Sequence, residues 1–269
     1  MSTANVIVDK LSVAPTETEL TAIFDEKYRR NSILGPGPRL RLQFGYFTPD
    51  DYYECLVNKL VKTGDRWADV GCGRDIFLSN AALAEVLSRR CKHLLGIDPD
   101  PNIRDNPFIH EGFEGVVEDY QGPSAFDVVT LRMVAEHIVN PSRAMAKISE
   151  LLRPGGMAVI YTPNKWSPIP IITSLVPNRY HHRLKRLIWD VDERDTFPTA
   201  FKLNTQTDLK RECNQQGLSE IYFAHLDDCR TSGRYLVINR LELSIQRFLH
   251  SFRITYPENN LLGIYQKRL

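Results

Sequence analysis

Residues 67–75 place an acid and two glycines directly after a short apolar run. The apolar residues predict a buried strand, and residues 76–90 predict a helix that follows the turn. Gly71 and Gly73 can adopt positive φ, and neither carries a side chain that would keep a ligand away from the backbone. Asp69 lies just before the turn, where its carboxylate can accept a hydrogen bond from a cationic or hydroxylic group. The segment therefore predicts a binding site for a nucleotide-like ligand.

A second acid ends the next predicted strand. The apolar residues 94–97 lead into Asp98, about 25 residues after Gly73, close to where a ribose-binding carboxylate lies in a βαβ unit. The alternative is a turn-forming Asp, because Pro99 follows it directly. Ile76 stands where the dinucleotide fingerprint has its third glycine. The spacing argues against NAD and favours a smaller nucleoside ligand.

These segments are part of a longer pattern that covers residues 60–163. Its four blocks are residues 69–73 (Asp-Val-Gly-Cys-Gly), 96–99 (Gly-Ile-Asp-Pro), 126–131 leading to 136–138, and 151–156. In these blocks and in their order the chain resembles the class I S-adenosylmethionine-dependent methyltransferases, in the small-molecule branch that includes quinone-biosynthesis enzymes. The resemblance is specific for the cofactor and the fold, but it gives almost no information about the substrate.

The resemblance implies a set of cofactor-binding residues. They are Asp69, Gly71, Cys72, Gly73, Asp98, Pro99, Glu118, Asp119, Leu131, Arg132 and Tyr46. Asp69 is expected near the amino group of the methionyl part, and Asp98 near the ribose hydroxyls, since a carboxylate can hold two vicinal donors. Glu118 or Asp119 is expected to accept from the adenine amine, although either could equally be a solvated loop acid.

Three of these residues come from other parts of the expected site. Leu131 and Arg132 end the fourth predicted strand and are expected under the cofactor. Arg132 departs from the small polar residue often found there; it could bind a carboxylate of cofactor or substrate, or pair with a nearby acid. Tyr46 precedes the first strand, where it could offer a hydroxyl to the cofactor or pack as ordinary core.

Methyl transfer is an in-line displacement at a sulfonium carbon, and alignment of the acceptor with exclusion of water supplies much of the rate. A base is needed only for a protonated acceptor, and histidine suits a hydroxyl. His137, His181 and His182 are the candidate catalytic residues. His137 could instead cap a strand or pack below the pocket, and the adjacent pair could simply be solvated.

The elements that must position these residues predict an α/β fold. Short apolar runs at 94–98, 115–118, 127–131 and 157–162 alternate with helical patterns, which describes a parallel sheet covered on both faces. A Gly-Pro-Gly-Pro turn is expected at 35–38, and an edge strand pair at 219–226 and 261–267. We expect a Rossmann-like, doubly wound, seven-stranded sheet, with an N-terminal helical cover of residues 1–47 and a domain of residues 48–269.

The domain is expected to contain a lid insertion at residues 163–200, which carries five prolines. Its apolar stretch around 166–176 is followed by the basic stretch 179–186. This order suits an interfacial segment or an amphipathic, anionic acceptor, although a lid helix with internally paired cations is the favoured interpretation. The leading hypothesis is methyl transfer to a small-molecule oxygen of a glycan, a natural-product intermediate or a phenol. The alternatives are a quinone or lipid-linked acceptor at a membrane surface, and a cofactor-binding protein without turnover.

Bulk composition limits the remaining classes. A formal net charge of +1 gives no pull toward nucleic acid, and residues 131–134 lack the Asn/Asp-Pro-Pro-aromatic block of amino-methylating nucleic-acid enzymes. Five dispersed cysteines predict free thiols in a reducing compartment and no zinc site. No signal-peptide pattern or long apolar span is visible, so a cytoplasmic location is expected. No carboxylate cluster has magnesium-site spacing, so we expect a metal-independent reaction.

Overall fold

The computed structural model describes residues 13–28, 36–168, 198–230 and 235–269. Its centre is a seven-stranded sheet with the order β3-β2-β1-β4-β5-β7-β6. The strands are β1 (Arg66–Val70), β2 (His93–Asp98), β3 (Glu111–Glu114), β4 (Phe126–Arg132), β5 (Leu152–Pro163), β6 (Leu218–Leu226) and β7 (Asn260–Lys267). The first five are parallel, and β7 runs antiparallel to both β5 and β6. The predicted doubly wound, Rossmann-like α/β fold is confirmed.

Helices cover both faces of the sheet. They are α1 (Glu17–Tyr28), α2 (Pro36–Phe44), α3 (Pro49–Leu60), α4 (Ala81–Arg90), α5 (Pro141–Leu151), α6 (Gln206–Gln215) and α7 (Leu236–Ser251). One hydrophobic cluster joins α5 and α6 to the sheet, and a second joins α1, α3 and α4 to its other face. Side chains of β1 alternate between them, since Trp67 enters the second cluster while Ala68 and Val70 enter the first.

A buried ion-pair cluster fixes the N-terminal helices. Lys27 of α1 contacts Asp51 and Glu54 of α3 at 3.1 and 2.8 Å. Asn80 donates to the other oxygen of Glu54 at 2.9 Å, which ties the start of α4 to the same cluster. Asp51 also completes a capping box with Thr48 at the start of α3, as the sequence predicts. Helices α1, α3 and α4 are therefore held together by charge as well as by apolar packing.

The structure differs from the sequence predictions in three places. The predicted turn at 35–38 is wrong, because α2 begins at Pro36; proline suits a first helical turn, where no backbone N–H is needed. The strand predicted at 115–118 is wrong, because the edge strand β3 occupies Glu111–Glu114. The helix predicted at 76–90 begins at Ala81, where Asn80 accepts a hydrogen bond from the Leu83 N–H and caps it.

Candidate active site

The glycine turn lies at the carboxyl edge of the sheet, after β1. Gly71 has φ of 74° and Gly73 has φ of 48°, so both use the left-handed region that favours glycine. A Cβ on Gly71 would lie 2.1 Å from a methyl of Val134, whereas one on Gly73 would meet nothing within 4 Å. The turn is therefore packed from below at Gly71 and open at Gly73, which is the side a ligand can approach.

Cys72 contributes backbone rather than a side chain to this open surface. It is buried, and its sulfur packs so close to Gly96 of β2 that a Cβ there would lie 2.7 Å from it. Burial raises the pKa of the Cys72 thiol above its ordinary value. The side chain therefore faces β2 as a neutral thiol, and only its peptide groups are available to a ligand.

Asp98 joins the end of β2 to the glycine turn. Its two carboxylate oxygens accept hydrogen bonds from the Gly73 and Asp100 N–H groups, each at 2.8 Å. Burial raises the pKa of Asp98, while these two bonds oppose the rise. A carboxylate offers about four acceptor positions, so two are still available for the hydroxyls of a ribose. Pro99, which follows, is exposed beside it.

Asp69 is buried beneath the turn. It lies between Gly96 of β2 and Thr130 of β4 in the sheet register, and the Thr130 hydroxyl donates to it at 2.5 Å. Burial raises the pKa of Asp69 to about 7, although the Thr130 bond and the charge of Arg132 oppose the rise. A cationic group bound nearby would offset this desolvation and favour the carboxylate.

The end of β4 forms the neighbouring part of the edge. Leu131 is fully buried in the core below the turn. Arg132 lies 3.5 Å from Asp50, which also pairs with Arg230 in the loop after β6. Burial would raise the pKa of Asp50, but these two guanidinium groups hold it below its usual value. Of the alternatives for Arg132, the structure therefore shows the pairing with a nearby acid.

The acids proposed for adenine do not end a strand, because residues Val117–Asp119 form a 3-10 turn. Asp119 is exposed and pairs with Arg143 of α5 at 2.8 Å. Glu118 is half-buried in the same turn. Both residues stay candidates for binding the adenine amine. The carboxylate of Asp119 is shared with Arg143, whereas that of Glu118 is not.

His137 lies in the segment that follows β4. Its Nδ1 lies 3.1 Å from the Pro198 carbonyl oxygen, and its Nε2 lies 3.9 Å from Glu136. A neutral ring that donates from Nδ1 to that carbonyl keeps Nε2 as its basic nitrogen. Glu136 is buried and accepts from the Thr162 hydroxyl at 2.9 Å. His181 and His182, with residues 169–197 of the expected lid, lie outside the described residues.

Tyr46 is buried among residues of α2 and α7 rather than exposed to the glycine turn. Its hydroxyl donates to the Asp227 carbonyl oxygen at 3.1 Å and accepts from the Cys229 N–H at 2.9 Å. Both bonds link the segment after α2 to the loop after β6. This environment matches the alternative that Tyr46 packs as core.

Two features of this edge were missed by sequence reasoning. One is the bridge of Asp50 and Arg230, whose partners are too distant in the chain for any local pattern to indicate. The other is Met133, which has φ of 56° although it is not glycine. This residue turns the chain away from β4 toward His137. Left-handed conformations of larger residues leave no reliable sequence signal.

The methyltransferase domain family matches residues 48–221, well over half of the chain. The chain belongs to this family. The predicted membership of the class I S-adenosylmethionine-dependent methyltransferases is confirmed, and S-adenosylmethionine is its cofactor.

Several known proteins are similar to parts of the chain. A ubiquinone biosynthesis O-methyltransferase of Aeromonas salmonicida is 33% identical over 112 residues, which cover 38% of this chain and 44% of the relative. Its counterpart in Xanthomonas euvesicatoria is 28% identical over 141 residues, with coverage of 49% and 56%. The chain thus spans about half the length of the curated relatives it matches.

A solved structure from Galdieria sulphuraria, described as a sarcosine dimethylglycine methyltransferase, has a TM-score of 0.50 at 10% identity. The match covers 81% of this chain and 85% of that one, and it shows a shared fold.

In the described ranges, no helix is both long and apolar enough to pass through a bilayer. The same ranges contain no group of three or more His, Cys, Asp or Glu side chains placed to hold a metal ion. Metal independence stays a prediction.

Proposed function

We propose that the protein transfers a methyl group from S-adenosylmethionine to a hydroxyl oxygen of a small-molecule acceptor. The observation that carries this proposal is the convergence of Asp69, the open Gly73 and Asp98 at one edge of the sheet, beside the end of β4. The relatives named ubiquinone biosynthesis O-methyltransferases support oxygen as the methylated atom. A glycan, a natural-product intermediate or a phenol is the proposed acceptor.

The residues at this edge fit the cofactor chemically. The spare acceptor positions of Asp98 suit the ribose diol, with Pro99 alongside, and the open backbone at Gly73 suits the methionyl group. Asp69 is the acid whose charge a bound ammonium would favour. Glu118 is the proposed acceptor for the adenine amine, and Leu131 gives an apolar floor.

Bound S-adenosylmethionine supplies an electrophilic methyl group on a sulfonium sulfur. The described residues contribute binding, orientation and exclusion of water, which can account for a large part of the rate of a displacement. His137 is the proposed base, and it would hold the acceptor proton at Nε2 while the Pro198 carbonyl keeps the ring in place through Nδ1. His181 and His182 remain further candidates from the lid.

The proposal includes the organisation of the chain and its location. The N-terminal segment 1–47 acts as a cover, and the domain of residues 48–269 carries the lid insertion 163–200. Contacts of α1 with α3 and of α2 with α7 support the cover. All five cysteines are free and buried, which supports the proposed reducing, cytoplasmic environment.

The test is calorimetric titration with S-adenosylmethionine and S-adenosylhomocysteine. Asp98→Asn should weaken both ligands by about 10- to 100-fold, the value of hydrogen bonds to a charged group. Asp105→Asn is the matched control, because this acid lies in the turn after β2 and is exposed. Failure of the unchanged protein to bind either ligand would refute the proposal.

A second measurement separates turnover from binding alone. Transfer of a labelled methyl group to a panel of phenols and glycosides should fall by about 100-fold or more in His137→Gln, with cofactor affinity unchanged. Equal loss of binding would assign His137 to the structure of the site instead. Cofactor binding without transfer to any acceptor would favour the alternative of a protein without turnover.

A further inference from the structure

Helix α7 exposes a continuous apolar stripe. Val237, Leu241, Ile245 and Phe248 recur at intervals of three or four residues and so lie on one side of the helix, and Phe252 continues this spacing at its C-cap. Val237 is 83% exposed and Phe248 is 62% exposed. Nine of the sixteen exposed large hydrophobic residues in the described ranges lie between 235 and 254. Such concentration marks an interaction surface rather than scattered exposure.

The opposite side of α7 is already packed. Asn239 is buried and donates to the Cys229 carbonyl oxygen at 2.6 Å, and Leu243 packs with Leu40 and Tyr46. These contacts fix the rotation of the helix on α2. The apolar stripe therefore points away from the body of the protein, and the described parts of the chain leave it uncovered.

The exposed charged side chains of α7 and of the turn after it are cationic. Arg240, Arg247 and Arg253 are exposed, and in the described ranges no ion pair joins them to an acid. Glu242, the only acid of α7, is half-buried and accepts from Asn239 and Tyr256. The outer face of the helix is thus apolar and cationic, while its carboxylate is turned inward.

Topology puts both ends of α7 at the carboxyl edge of the sheet. The chain enters α7 from the end of β6 and leaves it for the start of β7. Because β6 is parallel to β5 and β7 is antiparallel, both points lie at the carboxyl edge of the sheet. Helix α7 is therefore connected to the same edge that carries Asp69 and Asp98, at the β6 end of the sheet.

We propose that the exposed face of α7 docks on an anionic lipid bilayer. An apolar stripe flanked by cations is the pattern of a helix that lies in the interface between lipid headgroups and acyl chains. A second copy of the chain fits less well, since a symmetric pairing of two α7 helices brings their arginines together. The surface is independent of the cofactor site, and the proposal does not rest on methyl transfer.

The test is co-sedimentation of the full chain with vesicles, without cofactor or acceptor. Binding is expected to vesicles of equal parts phosphatidylglycerol and phosphatidylcholine, with at least tenfold weaker binding to phosphatidylcholine alone. Added salt should reduce it. Leu241→Ser with Phe248→Ser should abolish it, and Arg240→Glu with Arg247→Glu should weaken it at least tenfold.

Val86→Ser is the matched control, since Val86 is exposed on α4, away from the stripe. It should leave vesicle binding unchanged, and thermal melts should show that every variant folds. No binding to either vesicle, or binding that all variants retain, would overturn the proposal. Dimerisation by light scattering that the serine variant loses, without vesicle binding, would overturn it in favour of a second copy.

Discussion

Replacement of Lys27 by methionine tests how much the buried ion-pair cluster contributes to stability. The side chain of Lys27 is 1% exposed, and those of Asp51 and Glu54 are 0% and 3% exposed. Methionine fills a similar volume but removes the charge, which leaves two buried carboxylates without their cation. Breaking a buried pair on one side costs about 3–5 kcal/mol. For a chain of this size that loss corresponds to a fall in Tm of roughly 6–20 °C.

The control is Lys59→Met, which removes a more exposed lysine. Lys59 pairs with Glu19 at 3.0 Å with about a quarter of its side chain exposed, so its loss should cost about 0–1 kcal/mol. The assay is urea unfolding followed by circular dichroism, with calorimetric melting as a second measurement. Equal losses for the two variants would refute the reasoning about Lys27.

The pH dependence of the Lys27 variant gives a second check. Burial raises the pKa of Glu54, and Lys27 opposes that rise. Without the lysine, the pKa of Glu54 in the folded state should be higher still than its pKa in the unfolded chain. The variant should therefore be most stable below the unfolded pKa of Glu54 and should lose stability as the pH rises through the folded pKa. The deficit should therefore be largest at pH 8 and shrink toward pH 5, and Glu54→Gln in the same chain should recover part of it.

Three further predictions concern the carboxyl edge of the sheet. Because burial raises the pKa of Asp69 to about 7, a bound ammonium that lowers it should release a proton, so cofactor affinity by calorimetry should rise from pH 6 to pH 8. Gly71→Ala should unfold more easily than the control Gly64→Ala, since both glycines have positive φ but only the first is crowded; equal urea midpoints would contradict this. Thr162→Val should cost about 1–3 kcal/mol at pH 8, because it removes the side-chain donor to Glu136 and the acceptor of the Asn204 amide, and an unchanged melting temperature would disprove that role.

Local patterns predicted much of the sheet and the glycine turn. The strand that ends at Asp98 and the capping box of α3 depend on residues within a few positions of one another, so the chain itself displays them. The edge strand β3 was misplaced because its residues alternate weakly and are mostly exposed. Edge strands of this kind carry little apolar signal, and only pairing with β2 identifies them.

Long-range contacts and exposure could not be predicted in the same way. Arg230 reaches Asp50 across 180 residues, and Tyr46 reaches the loop after β6 across a similar distance. The apolar face of α7 reads in the sequence as an ordinary amphipathic helix, because periodicity shows that two sides differ but not which one is buried. The packing of Leu243 against Leu40 and the bond of Asn239 to Cys229 settle that point.

The position of β7 between β5 and β6 has a consequence for synthesis of the chain. Strand β6 pairs with β7 and not with β5, so it cannot join the sheet until Asn260–Lys267 has been made. Until then β5 presents an open edge, and α7 is tethered to a strand that is still unpaired. The nascent chain therefore passes through a five-stranded stage with an edge open to other chains. Chains stalled at Pro257 should be cut by protease within β6, and protection there would contradict this order of assembly.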